Sequence, residues 1–225
     1  MKLGEAMEAL ERLGSEETAA TMRKHGVGAP LYGVRHGDLD ALAKELGTDQ
    51  ALASRLWATG HHDARMLATR IADARALSSA DLDRWARDLD SYVLTDAFVK
   101  TVARSRHARA KMKKWTRRES EWVGRAGWRL LAHLAMSDGA IGDDALDAWL
   151  ASIVSRIHDA KNRQRDAMLD AVAAIGLRGG RLEAEALRAV ELIGPVEVDH
   201  GPTRCRTTDP AKMIAAAKTR RARRR

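Results

Sequence analysis

The densest chemistry in this 225-residue chain is basic: Lys111, Lys113, Lys114, Arg117 and Arg118 crowd one short stretch. They sit inside residues 99–129, which hold 11 Lys or Arg against 2 acids, while residues 212–225 hold seven Lys or Arg and no acid. With a net charge of +8, the rest of the chain is therefore net acidic. A clustered positive surplus is the footprint of a polyanion, and phosphate contacts by such a cluster release counterions. The plainer reading is an Arg-rich solvated surface. His61-His62-Asp63 holds metal-ligating residue types, but neighbours on a helix face different sides and no distant fourth ligand is evident. A solvated helix start with Asp63 in its first turn accounts for the trio. Cys205 beside His200 is a weak nucleophile pattern. Gly176-Leu177-Arg178-Gly179-Gly180 lacks the Lys-Ser/Thr ending and preceding strand of a phosphate loop, so it reads as a turn between helices. Tyr92 and Asp96, four residues apart, share one helix face. By residue type alone Asp96 could equally be a helix cap or a surface ion-pair residue, and Tyr92 could be core beside Leu89 and Leu94.

The elements that must carry these groups are helical. Leu39, Leu42, Ala43 and Leu46 form one apolar stripe, and Ala64, Leu67, Ala68 and Ile71 form another, both at i, i+3, i+4, i+7 spacing. Gly47-Thr48-Asp49, Thr59-Gly60-His61 and Leu77-Ser78-Ser79 read as turns, and Ser79 before Ala80-Asp81-Leu82-Asp83 marks a helix start. Val196-Glu197-Val198 is the only candidate strand. Roughly a dozen short helices with tight turns predict an all-α architecture, an α-α superhelix of stacked helix pairs, with a non-repeat bundle as the structural alternative. The expected organisation is one domain over 1–211 and a basic tail over 212–225, disordered unless bound. Trp57, Trp85, Trp122 and Trp128 are expected in the core.

A single Cys excludes an internal disulfide and fits a reducing compartment. The opening residues carry no apolar signal core, and no apolar run approaches a spanning length. A soluble, cytoplasmic, monomeric protein is expected, associated with the bacterial nucleoid and with no contact with membranes.

Three segments carry a family resemblance: Tyr32-Gly33-Val34-Arg35, Leu56-Trp57-Ala58-Thr59-Gly60 with Asp63 to Ala68, and Asp90-Ser91-Tyr92-Val93-Leu94-Thr95-Asp96. Glu121-Trp122-Val123-Gly124-Arg125-Ala126 and the block from Ile193 to Gly201 with Thr203 and Cys205 extend it. In order and spacing they resemble the DNA alkylation repair family, the HEAT-like-repeat DNA glycosylases. The resemblance implies a curved right-handed solenoid with a concave basic face for double-stranded DNA containing alkylated bases. It implies hydrolysis of the N-glycosidic bond of cationic N3- and N7-alkylated purines without full base flipping, and needs neither metal nor cofactor. A cationic base is a good leaving group, so the chemistry to supply is stabilisation of the sugar cation by a carboxylate.

By that resemblance Asp96 is the catalytic carboxylate. Tyr92 takes the place of an aromatic, usually Trp, set against the lesion, where a π-face attracts a cation. Arg125 matches an arginine that contacts the backbone near the lesion, although Glu121 at i, i+4 offers it a structural partner. Lys111, Lys113, Lys114, Arg117 and Arg118 are the expected DNA-backbone contacts. Two departures stand out. Val93 replaces a frequent Asp. The stretch from Arg163 to Asp170 lacks the active-site Trp of a later helix, with Asp170 standing about where it would fall. The alternative is therefore a non-catalytic solenoid that binds damaged or branched DNA by shape and charge; a protein-interaction solenoid is disfavoured by the charge map.

Overall fold

The computed structural model describes residues 1–137 and 139–222, and the apolar stripes become 13 helices among them. In order they are α1 (Leu3–Leu13), α2 (Glu16–Lys24), α3 (His36–Leu46), α4 (Gln50–Ala58), α5 (His62–Ile71), α6 (Ser79–Arg87) and α7 (Tyr92–Ala103), then α8 (Ala108–Trp115), α9 (Glu121–Ala135), α10 (Asp143–Arg156), α11 (Asn162–Gly176), α12 (Arg181–Ile193) and α13 (Pro210–Ala222). The turn signals fall where side chains can replace missing intrahelical bonds. Asp49 caps α4 by accepting from the Leu52 amide at 2.8 Å. Ser78, one residue before the expected start, forms a capping box with Asp81 for α6. The only β feature among the described residues is an isolated bridge between Gly14 and Val34. Val196-Glu197-Val198 forms no strand; the Glu197 carbonyl there accepts from Arg165 instead.

The helices gather into two compact units: Met1–Ala108 with Gly201–Arg204, and Arg109–His200 with the C-terminal segment from Cys205. In the first, α5 is buried almost all round, from His62 through Ile71, because α3, α4 and α7 pack on it. Trp57 and Trp85 stack face to face at 4.2 Å with Phe98 beside them, and all three are core residues. In the second unit α9 and α11 form the central pair. Two helical glycines let α9 approach its neighbours, Gly124 towards Gln164 of α11 and Gly127 towards the end of α8. A Cβ on Gly127 would lie 2.3 Å from the Thr116 amide nitrogen, and one on Gly124 2.9 Å from the Arg118 carbonyl and 2.3 Å from the Gln164 amide. Trp128 is fully buried, as expected, whereas Trp122 is only half-buried.

The expected disordered tail is instead helical from Pro210. Asp209 accepts from the Lys212 amide at 3.0 Å, Pro occupies the first helical position, and the Ala-rich sequence that follows favours helix. Ile214 is buried. Its Cδ1 lies where a side chain on Gly176 would clash, at 2.3 Å from a Cβ built there. Residues 223–225 of that tail lie outside the described residues. Among the described residues no helix is long and apolar enough to cross a membrane.

Candidate active site and nucleic-acid interface

In the first unit α7 begins at Tyr92 because Ser91 caps it: its hydroxyl accepts from the Leu94 amide at 3.4 Å. Leu94, Thr95, Phe98, Val99, Thr101 and Val102 are buried, and Thr101 donates to the Thr69 carbonyl at 2.7 Å, fixing the rotation of α7 on α5. That rotation leaves Tyr92 and Asp96 partly exposed and Lys100 exposed, one turn apart along a single stripe. Tyr92 and Asp96 are thus brought together. The Tyr92 hydroxyl is hydrogen-bonded to Nδ1 of His25, with the rings edge-on at 5.9 Å. His25, the cap residue closing α2, was read from sequence only as the start of the loop that runs to Arg35, with no role of its own; no local signal links it to a tyrosine 67 residues away.

Asp63 is not at a solvated helix start; it is 1% exposed. Its carboxylate accepts from the backbone amides of Tyr32 at 2.7 Å, Gly33 at 3.1 Å and Val34 at 3.1 Å. Two of the three resemblance segments are therefore one structural device: Asp63 shapes the loop that carries Tyr32. Gly33, at φ +80°, takes a conformation suited to glycine, and a Cβ there would press on the Ser15 carbonyl at 2.4 Å. Burial holds His61 and His62 below the ordinary imidazole range, with Asp63 pulling the other way. No group of three or more His, Cys, Asp or Glu that could hold a metal occurs among the described residues.

In the second unit four of the five expected DNA-binding cations come together. Lys113, Lys114, Arg117 and Arg118 line, with Ala110, an open depression of about 490 Å³. Lys111 does not join them: it is 2% exposed, with its ammonium 5.8 Å from the centre of the Trp115 ring. At i, i+4 from a buried Trp, it follows the apolar face of α8 rather than the charged one. The backbone of the basic turn is held from three sides. The Gln164 side-chain amide donates towards the carbonyls of Arg118, Glu119 and Ser120 at 3.3, 3.4 and 3.1 Å. Arg156 donates to the Thr116 carbonyl at 2.8 Å, and Gly127 admits the Thr116 backbone.

Arg125 is also corrected by the structure. It is 2% exposed and donates to the Asp166 carboxylate at 2.7 Å and the Arg163 carbonyl at 3.0 Å. Glu121 is not its i, i+4 partner in this arrangement; Glu121 accepts from the Arg163 amide at 2.7 Å. One turn along, Arg129 pairs with Asp170, which also accepts from the Thr208 hydroxyl at 2.6 Å. Burial raises the Asp170 carboxyl above its ordinary value despite Arg129. The site expected to have lost an aromatic is thus filled by an Arg–Asp ladder between α9 and α11. The one sequence signal for this close packing was Gly124 within α9, since helical glycine is unfavourable without a packing reason.

The sequence matches the family described as DNA alkylation repair enzyme over residues 6–200, and the chain belongs to that family. An uncharacterized protein of Listeria innocua is 24% identical over 219 residues, covering 94% of this chain and 95% of the relative. One of Listeria monocytogenes is 23% identical over the same shares. A solved structure is similar with a TM-score of 0.89 and 28% identity over 98% of this chain and 95% of its own. It represents a new family of proteins related to the HEAT-like repeat DNA glycosylases with affinity for branched DNA structures. The fold class is accordingly the all-α, HEAT-like helical repeat expected from the sequence.

Proposed function

We propose that the protein is a DNA-binding repair protein acting as a monofunctional glycosylase on cationic N3- or N7-alkylated purines, as a monomer and without metal or cofactor. The observation that carries this reading is the α7 stripe. Asp96 stands one turn from Tyr92 on a helix whose other face is locked into the core. Tyr92 offers the cationic base a π-face, and Asp96 stabilises positive charge on the sugar as the glycosidic bond breaks. The base leaves neutral with the electron pair of the broken bond, and water then adds to the sugar cation and gives up a proton to solvent. Lys113, Lys114, Arg117 and Arg118 supply sequence-independent affinity for the phosphate backbone. Arg125 and Lys111, both 2% exposed, have no part in it. The test is release of free base from N-methylated duplex DNA: the purified protein liberates 3-methyladenine or 7-methylguanine faster than the uncatalysed rate.

A second reading, binding without excision, is favoured by two observations. Asp170 and its Arg129 partner stand where the later aromatic was expected, and the similar solved structure is of a protein with affinity for branched DNA structures. Tight DNA binding with no base released selects this reading.

A further inference from the structure

Tyr92 is held by its far end. Its hydroxyl is hydrogen-bonded to Nδ1 of His25, and the two ring centroids lie 5.9 Å apart at an interplanar angle of 70°. A separation that long, with the hydroxyl bonded, puts the imidazole beyond the oxygen and off both faces of the phenol ring. The bond is only part-buried, where one neutral hydrogen bond adds little to folding. The backbone on each side of it is nevertheless fixed. At the end of α2 the Gly26 amide donates to the Arg23 carbonyl at 2.9 Å and the Val27 amide to the Met22 carbonyl at 3.1 Å. Gly26 has φ +79° and Val27 is buried, the arrangement in which a glycine turns the chain just past a helix end. It sets where His25 stands. The loop beyond is tied to α5: the Pro30 carbonyl accepts from the His62 amide at 2.8 Å, and Asp63 accepts from the amides of Tyr32, Gly33 and Val34. On the other side, Ser91 caps α7 and Thr101 ties it to α5. Two firmly seated elements thus meet through one tyrosine hydroxyl.

Resting on the reading of Tyr92 as the aromatic that meets the lesion, we propose that His25 is a positioning residue that sets specificity for cationic bases. The Tyr92 hydroxyl donates to Nδ1, and that bond fixes the rotation of the phenol so that an open ring face awaits the base. An unanchored tyrosine at the start of a helix samples several rotamers, and ordering one of them on binding costs conformational entropy. Settling the ring beforehand removes that cost from recognition. The bond also enriches the ring in electrons, because a phenol that donates towards nitrogen takes on part of the character of a phenolate. Its face then attracts a cation more strongly. His25 touches neither base nor sugar and acts through Tyr92. The effect falls on discrimination and not on bond breaking. As the glycosidic bond cleaves, positive charge passes from base to sugar, where the role proposed for Asp96 begins.

The experiment measures the equilibrium affinity of the full chain for otherwise identical duplexes: unmodified, carrying N7-methylguanine, or carrying its uncharged isostere 7-deaza-7-methylguanine. A fluorine at C2′ of the lesion sugar disfavours the sugar cation, so the base stays attached whether or not the protein is a glycosylase. Wild type should prefer the cationic duplex to both others. His25→Ala should reduce that preference by roughly three- to tenfold, the worth of one hydrogen bond, and leave affinity for unmodified duplex as it was. Tyr92→Phe should do the same, and combining the two should cost no more than either alone. His25→Asn, which keeps an acceptor near the place of Nδ1, should restore most of the preference. A His25→Ala protein with the wild-type preference, an equal loss of affinity for unmodified duplex, losses that multiply in the double variant, or equal binding of the cationic and uncharged lesions by wild type overturns the proposal. Single-turnover release from the unfluorinated N7-methylguanine duplex tests the glycosylase reading separately. No release, with the His25-dependent preference intact, sinks excision and leaves this role standing.

Discussion

On α7 the Asp96 carboxylate lies at a partly exposed position beside Tyr92, whereas on α11 Asp166 and Asp170 are each engaged by an arginine of α9. The same residue types therefore do opposite work in the two units. The α9–α11 charges are committed to one another and hold two helices in register. The α7 stripe and the basic turn present theirs outward, on backbones that other residues keep still. Arg125 fits its family pattern as well as Asp96 does, yet Arg125 is buried against Asp166 while Asp96 is partly exposed.

The largest effect that probes this contrast is on stability. Arg125→Met leaves the half-buried Asp166 carboxylate without its guanidinium, and losing a hydrogen bond between charged groups typically lowers stability by about 1.5–3 kcal/mol. Urea unfolding should show that loss, and Arg125→Met with Asp166→Leu should recover most of it. A stable Arg125→Met protein with weakened DNA binding would instead return Arg125 to the interface. Next is Asp63→Asn. The amide side chain points a donor at one or more of the three backbone N–H groups that Asp63 accepts from, a loss of about 1–3 kcal/mol. Thermal unfolding checks it, and an unchanged midpoint would contradict the loop-shaping role.

The smallest effect is a pH dependence. Because burial lifts the Asp170 carboxyl above 3.8, its protonated form is favoured in the folded state. That contribution is present below the unfolded value near 3.8 and is lost as pH rises through the higher folded value. Asp170→Asn stays neutral throughout, so its stability relative to wild type should improve from pH 3 to pH 7. Melting curves in which the variant falls progressively behind over that range would mean the Arg129 and Thr208 contacts outweigh burial.

Much of this was legible in the sequence, and what was not has physical causes. The apolar period and the caps at Asp49 and Ser78 are local, so helices and turns followed directly from residue order. Asp96 and Tyr92 needed only i, i+4 geometry to be placed on one stripe. Burial of a charge is different, because it depends on partners far along the chain. Asp166 lies 41 residues from Arg125, and Asp63 lies about 30 from the amides it collects. Lys111 was misplaced for a related reason. Its charge suggested solvent, but its position on α8 is set by Met112 and Trp115, which are buried with it. The helix from Pro210 was hidden by basic low complexity, although Asp209-Pro210 already carried a start signal.

The claim that chemistry and DNA anchoring sit on separate elements is tested most directly by single-turnover base release beside equilibrium DNA binding. Wild type, Asp96→Asn, and Lys113→Ala with Arg117→Ala are compared on one N7-methylguanine duplex. Removing the Asp96 charge should lower the release rate by roughly two to three orders of magnitude, about 2.7–4 kcal/mol, with affinity unchanged or slightly raised. The alanine variant should bind more weakly and release base at the wild-type rate once saturated. An Asp96→Asn protein that releases base at full rate, or an alanine variant whose saturated rate collapses while its affinity holds, would contradict the account.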